Sequence, residues 1–202
     1  MVVGQGKSGK TLMLVNLIRH YKRVFKERII VFTSSFSRTL FQLEEDLGAK
    51  IFNTIENDDG INRLEALLKF QKDRKMSDEK LKPILLVLDD FCDNKMFSAR
   101  KSVLTKIFSQ GRHYGISIII TAQAIAMIPL SIRKLSQYNM FYRPMNTKER
   151  DVIVEENCGW LPEKEFEKLL MDITGTKYNF LLVDLNEMRM LKNFDEVVSR
   201  KE

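Results

Sequence analysis

The eight residues Gly4-Gln5-Gly6-Lys7-Ser8-Gly9-Lys10-Thr11 fit the pattern G-x-x-x-x-G-K-[ST] in full and run straight into a helically periodic stretch. Few short patterns constrain a fold as much. Glycines let the backbone curl so that successive N–H groups face inward, and the following helix adds the positive end of its dipole, which together make a cradle for phosphate oxygens. In such a loop Lys10 is a mobile point charge for the β- and γ-phosphates of a nucleotide, and Thr11 is a hydroxyl ligand for Mg²⁺. A loop of this kind sits between a strand and a helix, so the chain is expected to be an α/β P-loop NTPase with a mostly parallel central sheet flanked by helices.

The rest of the chain fits that frame. Its 202 residues, 44% hydrophobic and 30% charged, are those of one globular α/β domain over 1–202 with a full core. Only Met1, Val2 and Val3 precede the loop, where about five or six strand residues are expected, so the first strand reads as truncated. Leu14, Leu17, Ile18, Tyr21 and Phe25 form one apolar stripe, with a basic outer face at Arg19, His20, Lys22, Arg23 and Lys26. A buried strand is expected over 29–33, and a helix over 38–47 capped by Ser37 and stopped by Gly48. A short strand over 49–52 follows, then a helix capped by Asp58 or Asp59. Further on, a helix is expected over 97–109 and strands over 84–88, 116–121 and 139–142. Short helical starts follow at 129–133 and at 148–156, the latter capped by Thr147. A helix over 163–171 leads to a C-terminal hairpin, 178–184 with 189–194.

A second informative signal is the apolar run 84–88 ending in Asp89-Asp90. In a parallel sheet the carboxyl edge is where ligands bind, and two acids emerging there match the Walker B pattern. Asp89 is then the carboxylate that holds Mg²⁺ through its water shell, and Asp90 the base that orients or deprotonates an attacking water. The strand over 116–121 delivers Ala122-Gln123 to the same edge, where the Gln123 amide can sense the γ-phosphate. His113 reads as a surface or packing histidine.

The net charge of +6 and a pI near 9.2, spread along the chain, favour a polyanionic partner. Cys92 and Cys158 stand in unrelated contexts without metal-ligand spacing, which fits a reducing compartment. The sequence shows neither a secretion signal nor an apolar run long enough for a membrane span.

Taken in order, the phosphate loop, Asp89-Asp90, Gly111-Arg112-His113-Tyr114-Gly115 and Thr121-Ala122-Gln123 resemble the genome-packaging ATPases of large double-stranded DNA viruses, the poxvirus-type members of the FtsK–HerA superfamily. The similarity runs over residues 3–192 and includes Ile132-Arg133 and the terminal strand pair. It implies a RecA-like (ASCE) Mg²⁺-dependent ATPase that assembles as a homo-oligomeric ring, a pentamer or hexamer, and drives double-stranded DNA into a preformed capsid. It also implies a capsid component as partner and a location at the viral assembly site in the host cytoplasm or in the virion. The family's catalytic positions fall on Lys10, Thr11, Asp89, Asp90 and Gln123. Its intersubunit arginine falls on Arg112 or Arg133. Lys95, Arg100 and Lys101, which follow the Asp-Asp strand, are candidates for contacting the DNA backbone.

Other P-loop classes fit less well. A small-molecule or nucleoside kinase shares the loop and the size but needs an arginine-rich lid. GTPases carry Asn-Lys-x-Asp and ABC-type ATPases Leu-Ser-Gly-Gly-Gln, and neither stands in this sequence at the expected place. From outside enzymology, a nucleotide-gated DNA-binding module without efficient hydrolysis is the alternative.

Overall fold

From Thr11 to Thr121 the chain alternates helix and strand, and helical crossovers of that kind bring successive strands back in parallel. The computed structural model describes residues 1–26, 28–34, 37–53, 58–90 and 103–201, the side chains of 58 and 59 excepted. Residues 11–121 make one compact unit, and residues 1–10 with 122–202 make another.

In the 11–121 unit the strands β2 (Ile29–Thr33), β3 (Lys50–Phe52), β4 (Ile84–Asp89) and β5 (Ile116–Ala122) lie in the order β3-β2-β4-β5, all parallel. β4 is buried at every residue, the signature of a strand covered on both faces. Helix α1 (Lys10–His20) buries Leu14, Val15 and Ile18 against Ile29, Val31, Leu85 and Val87, and each such side chain contributes about 1.5–3 kcal/mol. The expected continuous stripe breaks after His20. Tyr21 is 46% exposed and Leu17 only half-buried, while α2 (Lys22–Phe25) is a separate turn that returns Phe25 to the core. Helix α3 (Arg38–Leu47) ends where expected: Gly48 takes the left-handed conformation at φ 63° and donates its N–H to Glu44. Ser37 starts it without a side-chain cap; its backbone carbonyl accepts from Leu40 and Phe41 instead. Helix α4 (Asp58–Met76) buries Leu64, Leu68 and the whole of Gln71, whose amide donates to the Lys82 carbonyl at 2.6 Å. Helix α5 (Val103–Gln110) is the described part of the helix expected over 97–109.

In the other unit, β1 (Val2–Val3) pairs in parallel with β6 (Tyr138–Phe141), and β7 (Leu181–Asp184), β8 (Arg189–Lys192) and β9 (Glu196–Arg200) continue antiparallel in the order β1-β6-β7-β8-β9. The expected hairpin is therefore a three-stranded meander, bulged between Met190 and Leu191. Helices α6 (Leu130–Arg133), α7 (Thr147–Asn157) and α8 (Glu163–Thr174) complete it, with Ile153, Phe166 and Leu170 fully buried. The cap of α7 is Asn146 rather than Thr147, its side chain accepting from the Glu149 N–H at 2.9 Å. An amide reaches that donor without the β-branch that restricts threonine.

Candidate functional site

The phosphate loop of residues 4–10 lies against two tyrosines, and its glycines leave room for them. A Cβ on Gly4 would lie 2.6 Å from Tyr142 Cβ and 3.0 Å from Ser8 Oγ, so only glycine fits. Gly9 stands at φ +101°, and a Cβ there would meet the Tyr178 ring at 3.1 Å. Between them Ser8 N–H closes a turn onto the Gln5 carbonyl at 3.3 Å, and Lys7 takes φ 62°, which leaves Gly6 and Lys7 exposed at the crest. Lys10, the first residue of α1, is 6% exposed; its Nζ donates to the carbonyls of Gly4 at 2.5 Å and Gln5 at 2.9 Å. The loop thus holds its own lysine folded across it. Ser8 Oγ is buried with no hydrogen-bond partner among the described residues, in a cradle that any side chain at position 4 would fill. An orphaned hydroxyl beside a buried ammonium and a bend of backbone amides fits a bound phosphate chain.

Tyr142 closes the loop from behind. Burial pushes its phenol up to about 12, so it stays protonated and neutral through the physiological range. Ala122, the last residue of β5, accepts from the Gly4 N–H at 3.1 Å, and Gln123 follows it, exposed.

At the carboxyl edge of the 11–121 sheet, strand register does the assembling. Thr33 of β2, Asp89 of β4 and Thr121 of β5 are direct register partners. The Asp89 carboxylate, 2% exposed, accepts from Thr33 Oγ1 at 3.1 Å on one oxygen and from Thr121 Oγ1 at 2.7 Å on the other. Thr121 Oγ1 in turn accepts from the Asp90 N–H at 3.2 Å, and Ser34 donates both to the Asp89 carbonyl and, through its hydroxyl, to that of Asp90 at 2.9 Å. Asp90 stands at φ 55°, a left-handed conformation rare outside glycine, Asn and Asp. Strain of that kind collects where a site needs a fixed acid. Carboxylates and a hydroxyl such as that of Thr11 are the hard oxygen donors that Mg²⁺ takes, commonly one or two from the protein with phosphate oxygens and water completing the shell. The residues present fit that ion.

The two arginines differ sharply. Arg112 lies exposed in the 3₁₀ turn Gly111–Tyr114. Arg133 is inside its own chain: Nη1 donates to the carbonyls of Ile125 at 2.9 Å and Ile128 at 3.0 Å, and Nη2 pairs with Glu156 at 2.8 Å. His113 is exposed, as expected. Lys95, Arg100 and Lys101 lie outside the described residues. What the sequence reading missed are Thr33, Thr121 and the tyrosines at 142 and 178. Two of these had a partial signal, since Thr33 ends β2 and Thr121 stands one residue before the end of β5.

The profile of the family described as Poxvirus A32 protein matches residues 1–157 of the 202. The chain belongs to the poxvirus A32 family. That places it among the packaging ATPases its sequence resembles, and the solved structures agree in fold. One is the genome packaging NTPase B204 of Sulfolobus turreted icosahedral virus 2 in complex with AMP (TM-score 0.67, 16% identity, 95% of this chain and 94% of that one covered). Another is B204, the DNA-packaging ATPase of Sulfolobus turreted icosahedral virus (TM-score 0.66, 15% identity, 100% and 96% covered). A third is EssC, ATPases 2 and 3, from Geobacillus thermodenitrificans (TM-score 0.61, 16% identity, 97% of this chain but 37% of that one). No curated protein matches the chain. For this A32-family member, the likeness at such low identity lies in the P-loop ATPase fold. Among the described residues no helix is long and apolar enough to cross a membrane.

Proposed function

We propose that this packaging ATPase hydrolyses ATP with Mg²⁺ and couples each turnover to movement of double-stranded DNA into a preformed capsid at the viral assembly site. The observation that carries the hydrolytic assignment is the Asp89 clamp, a buried carboxylate fixed by a hydroxyl on each side at the edge where a Walker B acid belongs. Loop amides and Lys10 bind the β- and γ-phosphates, and Thr11 with Asp89 holds the ion. Mg²⁺, when bound, neutralises charge on the phosphate oxygens and aligns them for in-line attack. Asp90 takes a proton from the attacking water as its oxygen bonds to the γ-phosphorus. The bond from that phosphorus to the bridging oxygen breaks, leaving ADP and phosphate. Gln123 hydrogen-bonds the γ-phosphate or that water. Arg112 of a neighbouring subunit in a ring meets the charge that develops on transfer, a role supported by its exposure and by the internal commitment of Arg133.

Phosphate release measured with and without double-stranded DNA tests the proposal. DNA should stimulate the wild type; Lys10→Ala should lower turnover by at least about a hundredfold, the scale for removing one preorganised donor. Asp90→Asn should still bind Mg²⁺-ATP yet fail to turn it over, because an amide cannot accept the proton. Near-normal turnover in Lys10→Ala would remove the assignment, and indifference to DNA would point to a kinase.

A further inference from the structure

Tyr178 is a costly residue to place where it stands. It sits at φ 70° in the turn between α8 and β7, a left-handed conformation that a bulky aromatic seldom adopts and that glycine or asparagine would take with less strain. The residue is 58% exposed, so little core burial offsets that strain. Yet the ring is placed with care: its Cδ1 lies 3.1 Å from where a Cβ on Gly9 would be, flush against the phosphate loop, and the Lys177 ammonium stands 4.8 Å from the ring centroid.

The turn beneath it is rigid. Asn193 accepts from the Phe180 N–H at 3.2 Å, donates its own N–H to the Phe180 carbonyl at 2.9 Å and donates its amide to Asn179 at 3.2 Å. The Phe180 ring packs on Phe194 at 5.1 Å and on Tyr142 at 5.4 Å, and Tyr142 backs Gly4. The aromatic chain fixes the floor of the loop at Gly4, and the Asn193 hydrogen bonds tie the turn that carries Tyr178 to the same frame.

We propose that Tyr178 is the platform for the nucleobase: with the phosphates in the loop, the base lies on the solvent-facing side of this ring. The inference rests on the nucleotide-site reading above. A flat ring reads no hydrogen-bond pattern, so the platform accepts any base in proportion to how well it stacks, purines before pyrimidines. The Lys177 ammonium, 4.8 Å from the ring centroid, adds positive charge beside the loop and yields the ring face when a base stacks there.

Equilibrium binding of Mg²⁺-ATP, Mg²⁺-UTP and inorganic triphosphate with Mg²⁺ tests this, because triphosphate engages the loop alone. Tyr178→Ala should weaken ATP by about five- to a hundredfold, the range for losing one base–aromatic stack, and should leave triphosphate within about twofold. Tyr178→Asn, which tolerates the left-handed turn, should behave like Tyr178→Ala, whereas Tyr178→Phe and Tyr178→Trp should bind ATP as the wild type does. The preference for ATP over UTP should shrink in the alanine and asparagine variants. Unchanged ATP affinity in both would overturn the proposal. So would equal loss of ATP and triphosphate, which would make Tyr178 a prop for the loop. If triphosphate fails to bind even the wild type, or binds Lys10→Ala undiminished, the phosphate-loop assignment itself falls, and the platform with it.

Discussion

Asp89 is oriented by neighbours one strand away on each side, and Thr121 is the more consequential because its single oxygen serves both acids. It donates to Asp89 and accepts from the Asp90 N–H. Thr121→Val keeps the shape and removes both interactions, so it should cost about 1–3 kcal/mol of stability and lower turnover at least tenfold. Thr121→Ser, which keeps the oxygen, should restore most of each. Denaturant unfolding and steady-state phosphate release check the pair; a Thr121→Val protein with wild-type turnover would show that Asp89 needs no such clamp. At this scale the sequence exposed the groups assigned here to the chemistry and concealed those that hold them. Lys10 and Asp89 belong to motifs because phosphate and metal demand those residue types at that spacing. Thr33 and Thr121 act through strand register, 56 and 32 residues away from Asp89, and no local pattern encodes that distance.

Elements were legible in proportion to how far local signals agreed. The runs 29–33, 84–88 and 116–121 are strands within a residue of their expected ends, because short β-branched and apolar runs bounded by turn signals suit largely buried strands, although β5 leaves Ser117 exposed. Helix α3 stops at Gly48 because its left-handed cap needs glycine. Where two signals competed, tertiary contacts decided. Asn146 outbid Thr147 at α7, since the carboxylate of Glu149 reaches back to the Met145 N–H at 2.7 Å and across to the Ile125 N–H at 3.2 Å, fixing the helix start one residue earlier. Strand β9 escaped notice because only Val197 and Val198 among its residues are apolar, and it forms by pairing with β8 rather than by propensity. Asn146→Ala should therefore cost about 1 kcal/mol, the usual worth of an N-cap, while Thr147→Ala changes stability by less than about 0.5 kcal/mol. Comparing the midpoints of urea denaturation for the two variants decides which residue is the cap.

Assembly belongs to the whole molecule. A nucleotide in a ring motor is completed by its neighbour, and a trans-acting arginine is worth about 10³ to 10⁵ in rate. Arg112→Ala and Lys10→Ala should each be inactive alone and regain phosphate release when mixed, because some interfaces then pair an intact loop with an intact arginine. An active Arg112→Ala parent, or no recovery despite proven co-assembly, would exclude Arg112. Arg133 has a different consequence. The segment that follows Gln123 is tied to α7 at two points, by Glu149 on the Ile125 N–H and by Arg133 bridging the Ile125 and Ile128 carbonyls to Glu156. In mechanical terms this is a stiff joint between the Gln123 segment and α7. Loosening the turn would break the buried Glu149–Ile125 bond and the part-buried Arg133 bonds, each worth about 1.5–3 kcal/mol, so the Gln123 segment and α7 are expected to move together.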